Sequence, residues 1–424
     1  MAGGRRRTEP EVRDRGVRVV YLNPSGQIGG AERSLLDVMA SLRKAEPAWE
    51  LRLVTAGDGP LMAEAAAVGV ETTALPFPAA LARLGDAAAG GPAGDGVRRG
   101  AVLRRLLTAA PAVGAYAWRL RSTLTAQKPD VVHTNGFKMH VLGALAAARH
   151  VPVVWHIHDH VSERPLMSRF LKLSAGRCAG VVANSDSAAR QASAVCGERV
   201  PVVTIYNAVD LERFAPSGTV LDLDALAGSP PAPDGTVRVG LVATFGRWKG
   251  HETFLRAIAK LPGGLPIRAY IVGGPIYETQ GSQYTHDELR RLAGELEIAH
   301  HVAFTGHVRQ SDAAMRALDV VVHASTHPEP FGLVIAEAMA CGRAVIASRA
   351  GGAAEIIDAE ENALGHPPGD AAGLARCIER LVTDPALRER LGTAGRATAE
   401  RRFDRARLGG EFGAVYRDAI ARAA

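Results

Sequence analysis

The feature that most constrains this chain is an alternation that runs through it twice: short runs almost continuous in Val, Ile, Leu and Ala, each followed by a longer stretch with helical spacing. It begins at "VRVVYLNP" (17–24), which reads as a buried strand, and continues into "QIGGAERSLLDVMASLRK", where Leu35, Val38, Met39 and Leu42 recur at helical spacing. "WELRLVTAG", "PDVVHTNG", "VPVVWHIHD" and "AGVVANS" follow as strands, with helical stretches such as "PLMAEAAAVG" and "MHVLGALAAARH" between them. A strand that is apolar on both faces must be covered on both, which indicates a parallel sheet between two helical layers. A second series follows: "VRVGLVATF", "IRAYIVGG", "HVAFTGHV", "DVVVHAS" and "RAVIASRAGG". The fold class is therefore α/β, two Rossmann-like doubly wound domains in tandem.

The 424 residues suit two domains. Residues 1–16 read as a disordered N-terminus and 17–206 as the first domain. Residues 207–235 read as a linker, because "APSGTVLDLDALAGSPPAPDG" is rich in Pro, Gly, Asp and Ala. Residues 236–400 form the second domain, and 401–424 a terminal helix with Phe412, Val415, Tyr416 and Ile420 roughly on one face. The low-complexity piece "GDAAAGGPAGDG" (85–96) reads as a mobile loop. Open α/β sheets bind ligands beyond the carboxyl ends of their strands, so the expected site is a cleft between two sheets that face each other.

A net charge of +6 fits anionic partners, whether nucleotide phosphates, lipid headgroups or nucleic acid. With only 5% Phe, Trp and Tyr there is little material for base-stacking platforms, which sets nucleic acid aside. Cys178, Cys196, Cys341 and Cys377 lie far apart without a C-x-x-C pair, as expected of free thiols in a reducing cytoplasm. Neither a signal-peptide core nor a membrane-spanning apolar run is visible.

The chemistry concentrates in a few stretches. In "STHPEPFGLVIAEAMACG", Pro328 and Pro330 keep Glu329 in a loop, while a helix begins near Gly332. The amides of Phe331, Gly332 and Leu333 are then the open donors of a helix N-terminus, suited to phosphate. Glu337 lies a little over one turn in. Beside a diphosphate both carboxylates would be repelled unless they met hydroxyls, so Glu329 is assigned to a sugar and Glu337 to a ribose; the bland alternative is a solvated loop residue and a surface helix residue. In "ATFGRWKGHETF", Arg247 and Lys249 follow a strand at its carboxyl end, where cations would stabilise a leaving diphosphate, or else be solvated surface charges. Gly29 and Gly30 in "GQIGGAERS" allow close backbone approach before a helix, or simply make a tight turn. His156, His158 and His160 alternate in "VPVVWHIHDHV", a spacing metals could use. A cleft-facing His158 with Asp159 nearby, meeting a sugar hydroxyl or an acceptor, is preferred, against a histidine satisfied in the core. The "DLD" at 222–224 lies in the expected linker rather than at a strand end and is discounted as a metal site.

Together these residues resemble the retaining glycosyltransferases of family four, which have the GT-B fold. The resemblance runs from "GGAERSLLDV" through "HTNG", "HIHD", "VVANSDSAARQ", "NAVDLERFAP", "WKGHETFLRAIAKL" and "VAFTGHV" to the pair of glutamates with seven residues between them in "EPFGLVIAE". It implies transfer of a sugar from a nucleotide diphosphate donor, with retention, without metal or cofactor. By the resemblance, Glu329 contacts donor-sugar hydroxyls, Glu337 the ribose, and Phe331, Gly332 and Leu333 offer amides to sugar and phosphate. Lys249 matches the phosphate-binding lysine, His158 a histidine that orients sugar or acceptor, and Gly30, beside Gly29, the loop near the diphosphate. His307 and Val308 lie where the base-contacting loop runs, and Gly273 joins the donor-binding set. Thr244 stands where family members often carry an arginine, which leaves Arg247 as the candidate substitute. No residue is evident as an enzymic nucleophile, so front-face attack is expected, with the leaving phosphate taking the acceptor's proton.

The expected acceptor is a glycan, a lipid-linked molecule or a small molecule, held by the first domain. Arg98, Arg99, Arg104, Arg105, Arg119 and Arg121 interleave with Leu, Val and Trp118 over 96–124, as in a helix lying on an anionic membrane, or in an ordinary amphipathic helix. A sugar-nucleotide 2-epimerase-like enzyme and a non-catalytic nucleotide-sugar binding protein are the competing readings.

Overall fold

Val19, Val20, Tyr21 and Leu22 of β1 (Arg18–Asn23) are each 0% exposed, as a strand covered by helices on both faces requires. The structure, a computed structural model, describes residues 16–82, 99–275 and 281–424, the side chains of 99–107 and 109 excepted. Residues 1–15 of the expected disordered start, and the expected loop at 85–96, lie outside the described residues.

The chain divides into two compact units, one running to Tyr206 and including Arg405–Ala424, the other Asn207–Asp404. In the first, β1 is joined by β2 (Glu50–Thr55), β3 (Glu71–Ala74), β4 (Val131–Asn135), β5 (Val153–Ile157), β6 (Cys178–Ala183) and β7 (Val202–Thr204). Every pairing is parallel, in the order β3-β2-β1-β4-β5-β6-β7. The second unit contains β8 (Val237–Val242), β9 (Ile267–Val272), β10 (Val302–Gly306), β11 (Val320–His323), β12 (Ala344–Ser348) and β13 (Leu364–His366), all parallel, in the order β10-β9-β8-β11-β12-β13. Each sheet reverses its direction of growth once, between β1 and β4 and between β8 and β11. Such a reversal opens a crevice at the carboxyl edge, where doubly wound sheets bind ligands.

In the first unit the helices Arg99–Gln127, Phe137–Ala146 and Pro165–Ser174 pack side by side. Tyr116, Leu120 and Leu124 are the buried side of the first of them. The terminal helix Arg407–Ala423 docks on the helix Gly30–Ala45. There the Gly409 N–H donates to Ser41 Oγ at 2.8 Å, and Phe412 and Tyr416 are buried.

The stretch expected as a linker, 207–235, belongs to the second unit instead. Its Asp224 is buried and accepts from Arg268 Nη1 at 2.8 Å, Tyr270 Oη at 2.7 Å and the Ala232 N–H at 2.9 Å. These bonds outweigh the desolvation of the carboxylate and hold its pKa at about 2. Arg316 adds bonds to the carbonyls of Thr219 at 2.7 Å and Ala215 at 3.2 Å. Pro and Gly made the segment look like a tether, whereas one buried aspartate fastens it.

Candidate active site

In the second unit the loops after β8 and β11 meet across the reversal of strand order. The Thr326 N–H donates to the Trp248 carbonyl at 2.8 Å, and Gly250 packs so closely that a Cβ there would lie 1.8 Å from the Ala324 carbonyl oxygen. With a φ of +78°, Gly250 also occupies a conformation that other residues adopt only with strain. This approach sets the short turn Arg247–Lys249 over the β11 loop.

Lys249 Nζ consequently donates to Glu329 Oε1 at 2.6 Å. Ser325 Oγ donates to the same oxygen, and His323 Nε2 lies 3.3 Å from it. Glu329 is only 8% exposed. Burial pushes its pKa up, but Lys249 and then His323 outweigh that and hold it well below the ordinary carboxylate range. Its backbone bridges to Gly351, and its carbonyl accepts from the Gly352 N–H at 2.7 Å, so the loop between Pro328 and Pro330 is pinned in extended form. The site therefore holds an ionised carboxylate against a fixed ammonium at the carboxyl edge.

Arg247 is not part of that pair. Its guanidinium meets Glu288 Oε1 at 2.7 Å and the Gly281 carbonyl at 3.0 Å, and lies 4.4 Å from the centre of the Tyr284 ring. Thr244, half-buried, sits between two backbone bonds, Ala243 N–H to Val272 O and Phe245 N–H to Gly274 O, both 3.1 Å. Gly273 is closed over by Ala243, whose carbonyl oxygen would be 1.9 Å from a Cβ, and its N–H donates to Gly306 O at 3.0 Å. His307 is exposed and Val308 half-buried just after β10. Phe331 is buried edge-on against Phe403, with ring centres 5.7 Å apart, and Gly332 caps the helix Leu333–Ala340 in the left-handed region. Leu333 and Glu337 are half-buried on that helix. The strand-end residues His323 and Ser325 were missed by the sequence reading. Their signal was a polar pair closing the apolar run "DVVVHAS".

In the first unit, Asn23 and Asn135 end β1 and β4 at its own reversal point, and Asn135 Nδ2 donates to Asn23 Oδ1 at 2.7 Å. Gly29 caps the helix Gly30–Ala45, and its N–H donates to Glu32 Oε2 at 3.0 Å. A Cβ on Gly30 would meet nothing within 4 Å, so that stretch of backbone is open. His158 follows β5, with both ring nitrogens buried and without a hydrogen-bond partner among the described residues; those of His156 are in the same state. The two rings lie 3.9 Å apart. Burial lowers the pKa of His158 to about 3, so the ring is neutral. His160 turns away to Ser187 Oγ at 3.1 Å, which ends the alternation. Asp159 is exposed, 3.9 Å from Arg164. Among the described residues no group of three or more His, Cys, Asp or Glu could hold a metal ion.

Residues 28–213 match the family model described as Glycosyltransferase Family 4, and 225–398 that of Glycosyl transferases group 1. A D-inositol 3-phosphate glycosyltransferase of Xylanimonas cellulosilytica is 32% identical over 301 residues, 65% of this chain and 68% of that one. The chain belongs to the family four glycosyltransferases. A lipopolysaccharide core biosynthesis glycosyltransferase, LpsE of Rhizobium meliloti, is 34% identical over 198 residues, 46% of this chain; the match spans only about half of that relative, 53%. Among solved structures, Anabaena Alr3699/HepE in complex with UDP and glucose is similar with a TM-score of 0.74 at 25% identity, covering 94% of this chain and 99% of that one. The fold of this family four member is thus GT-B, built from two Rossmann-like units with all-parallel sheets.

Proposed function

We propose that the protein moves a sugar from a nucleoside diphosphate-sugar, of UDP or GDP type, to a glycan, lipid-linked or small-molecule acceptor, with retention at the anomeric carbon. Fixed protein cations, rather than a metal ion, counter the leaving diphosphate. The observation that carries this reading is Lys249 held 2.6 Å from the buried, ionised Glu329 at the reversal point of the second sheet. A cation built into that edge stabilises charge that grows on a phosphate oxygen. The solved relative with UDP and glucose, and the relatives named for lipopolysaccharide core and inositol phosphate transfer, support the substrate classes.

The anomeric C–O bond to the diphosphate breaks, and its electron pair stays on the phosphate oxygen. The acceptor hydroxyl oxygen bonds to the anomeric carbon from the same face, and its proton passes to the leaving phosphate. Lys249 neutralises that phosphate, with Gly29 and Gly30 letting backbone approach it and Thr244 and Gly273 assigned to the donor. Lys249, Ser325 and His323 converge on Glu329 Oε1, and Oε2 accepts from the donor-sugar hydroxyl. The amides of Phe331, Gly332 and Leu333 meet sugar and phosphate, Glu337 the ribose, and His307 and Val308 the base. Neutral His158 orients sugar or acceptor through a ring nitrogen that has no hydrogen-bond partner among the described residues. Arg247 joins by releasing Glu288, an exposed pair worth about 0–1 kcal/mol. All four cysteines are free, in keeping with a reducing cytoplasm.

The test is calorimetric titration with UDP-, GDP- and ADP-sugars in chelator, repeated with Glu337→Ala, followed by assay of nucleoside diphosphate release. One nucleotide class should bind, more weakly to the variant, and diphosphate should appear only when acceptor is added. Release without acceptor points to an epimerase-like enzyme, and no binding at all would sink the transfer reading.

A further inference from the structure

The three neighbouring helices Arg99–Gln127, Phe137–Ala146 and Pro165–Ser174 expose four large apolar side chains. Trp118 is 71% exposed, Leu145 59%, Leu166 44% and Leu173 82%. The helices each lead into the strand that follows them, β4, β5 and β6, and so run in one direction on one face of the sheet. Trp118 lies nine residues before the end of its helix and Leu166 eight before the end of its own, about 12–14 Å in each case. Leu145 and Leu173 each lie one residue before the end of theirs. The four therefore form an upper and a lower pair on one helical layer, and none of them serves the core on which Tyr116, Leu120 and Leu171 pack.

The charge on the helices themselves has one sign. The sequences of these three helices contain no Asp or Glu. Arg119, Arg121, Arg169 and Lys172 are exposed beside the apolar residues, and none of the four is paired with an acid among the described residues. Arg149 follows Leu145, also exposed. On an ordinary solvated helical surface acids and bases are mixed, and isolated exposed leucines need no explanation. An acid-free layer that combines exposed Trp and Leu with unpaired cations is the composition that suits the boundary of an anionic bilayer, with indole and aliphatic groups at headgroup depth and cations on lipid phosphates.

We propose that this three-helix face seats the first unit on an anionic lipid surface. The face includes none of the residues assigned to the donor, and vesicle binding is read separately from donor binding, so this inference stands or falls separately from the transfer reading. The spread of the cations over two of the helices and the turn after the remaining one matches a continuous layer of lipid phosphates better than a single point of contact.

The experiment is cosedimentation of the full chain with vesicles of phosphatidylcholine mixed with phosphatidylglycerol, against phosphatidylcholine alone, across a salt series. Binding to the anionic vesicles should weaken as salt rises. Arg121→Glu with Lys172→Glu should weaken it by at least about thirty-fold, since each cation near such a surface contributes about fivefold. Trp118→Ser with Leu173→Ser should weaken it with little change in the salt dependence. Donor titration should be unchanged in both variants, which shows that they fold. Equal partition to neutral and anionic vesicles, binding that none of these substitutions alters, or loss of a stable self-associated form on Trp118→Ser in place of any vesicle effect would each overturn the proposal. The last result would assign the face to a second copy of the chain.

Discussion

Removing the ammonium of Lys249 is the perturbation whose outcome follows most directly from the geometry. Glu329 carries its charge while 8% exposed because Lys249 stands 2.6 Å away, and Lys249→Met would leave only Ser325 and His323 against Oε1. Truncating one partner of a buried ion pair costs about 3–5 kcal/mol. The Lys249 side chain is 26% exposed, so water reaches part of the pair, and a loss of about 2–3 kcal/mol is predicted for the second unit. Glu329→Gln leaves an ammonium that water can solvate and should cost about 1 kcal/mol. The double variant should then resemble Glu329→Gln alone, falling short of the sum by about 2 kcal/mol. Urea denaturation at neutral pH measures all three. The pH dependence has a fixed sign: the folded pKa of Glu329 lies below its ordinary 4.5, so its contribution is complete above that value and is lost as pH falls through the folded pKa. Wild type and Glu329→Gln should therefore converge in acid. Titration with a nucleotide-sugar reads the function separately, with Lys249→Met expected to lose donor affinity. Additive stability costs, or a Lys249→Met protein with wild-type stability and donor binding, would refute the reasoning.

Three further predictions rest on other parts of the structure. Burial holds His133 and His158 at a pKa of about 3 and His140 and His156 well below 6.5, so all four stay neutral in the folded state while the unfolded chain protonates them. Stability should fall as pH drops below 6.5, by about 1.4 kcal/mol per pH unit for each; calorimetric melts of the first unit that stay level between neutral pH and about pH 5 would contradict this. Gly250→Ala should cost at least about 2 kcal/mol, because its Cβ meets the Ala324 carbonyl, whereas Gly30→Ala should be stability-neutral and weaken donor binding; equal effects on melting temperature would remove the distinction. His158→Leu should raise the melting temperature, since it removes two buried, unpaired nitrogens, and abolish transfer; a destabilised variant that still transfers sugar would make His158 a packing residue.

The long central strands were legible because their apolar runs have no other use, and the position of Lys249 and Glu329 beyond β8 and β11 followed from the same pattern. The short strands β3, β7 and β13 were not, since runs such as Glu71–Ala74 are polar and take their conformation from the neighbour they pair with. Nor was the packing of 207–235, which depends on Asp224 meeting Arg268 and Tyr270 more than forty residues on, with sequence separations of 44 and 46. Arg247 shows the limit most clearly. The sequence places it two residues from Lys249, but its side chain goes to Glu288, 41 residues away, because the turn sends adjacent side chains in different directions.

The two edges of each sheet are treated differently. At the amino edges, Asp130 and Asp319 precede β4 and β11 and accept from the backbone N–H groups of Arg18 and Arg238 at 2.9 and 2.7 Å, which fixes the starts of β1 and β8 in the same way in both units. At the carboxyl edge of the first unit the polar groups are buried as deeply but less well partnered. Asn135 Oδ1 and the ring nitrogens of His156 and His158 find no hydrogen bond among the described residues. Each such group costs about 1–3 kcal/mol, and a fold selected for stability alone would have replaced them with the apolar residues that fill the strands below. That they sit at the edge where a doubly wound sheet binds its ligands is best explained if a polar, hydroxyl-rich substrate completes them.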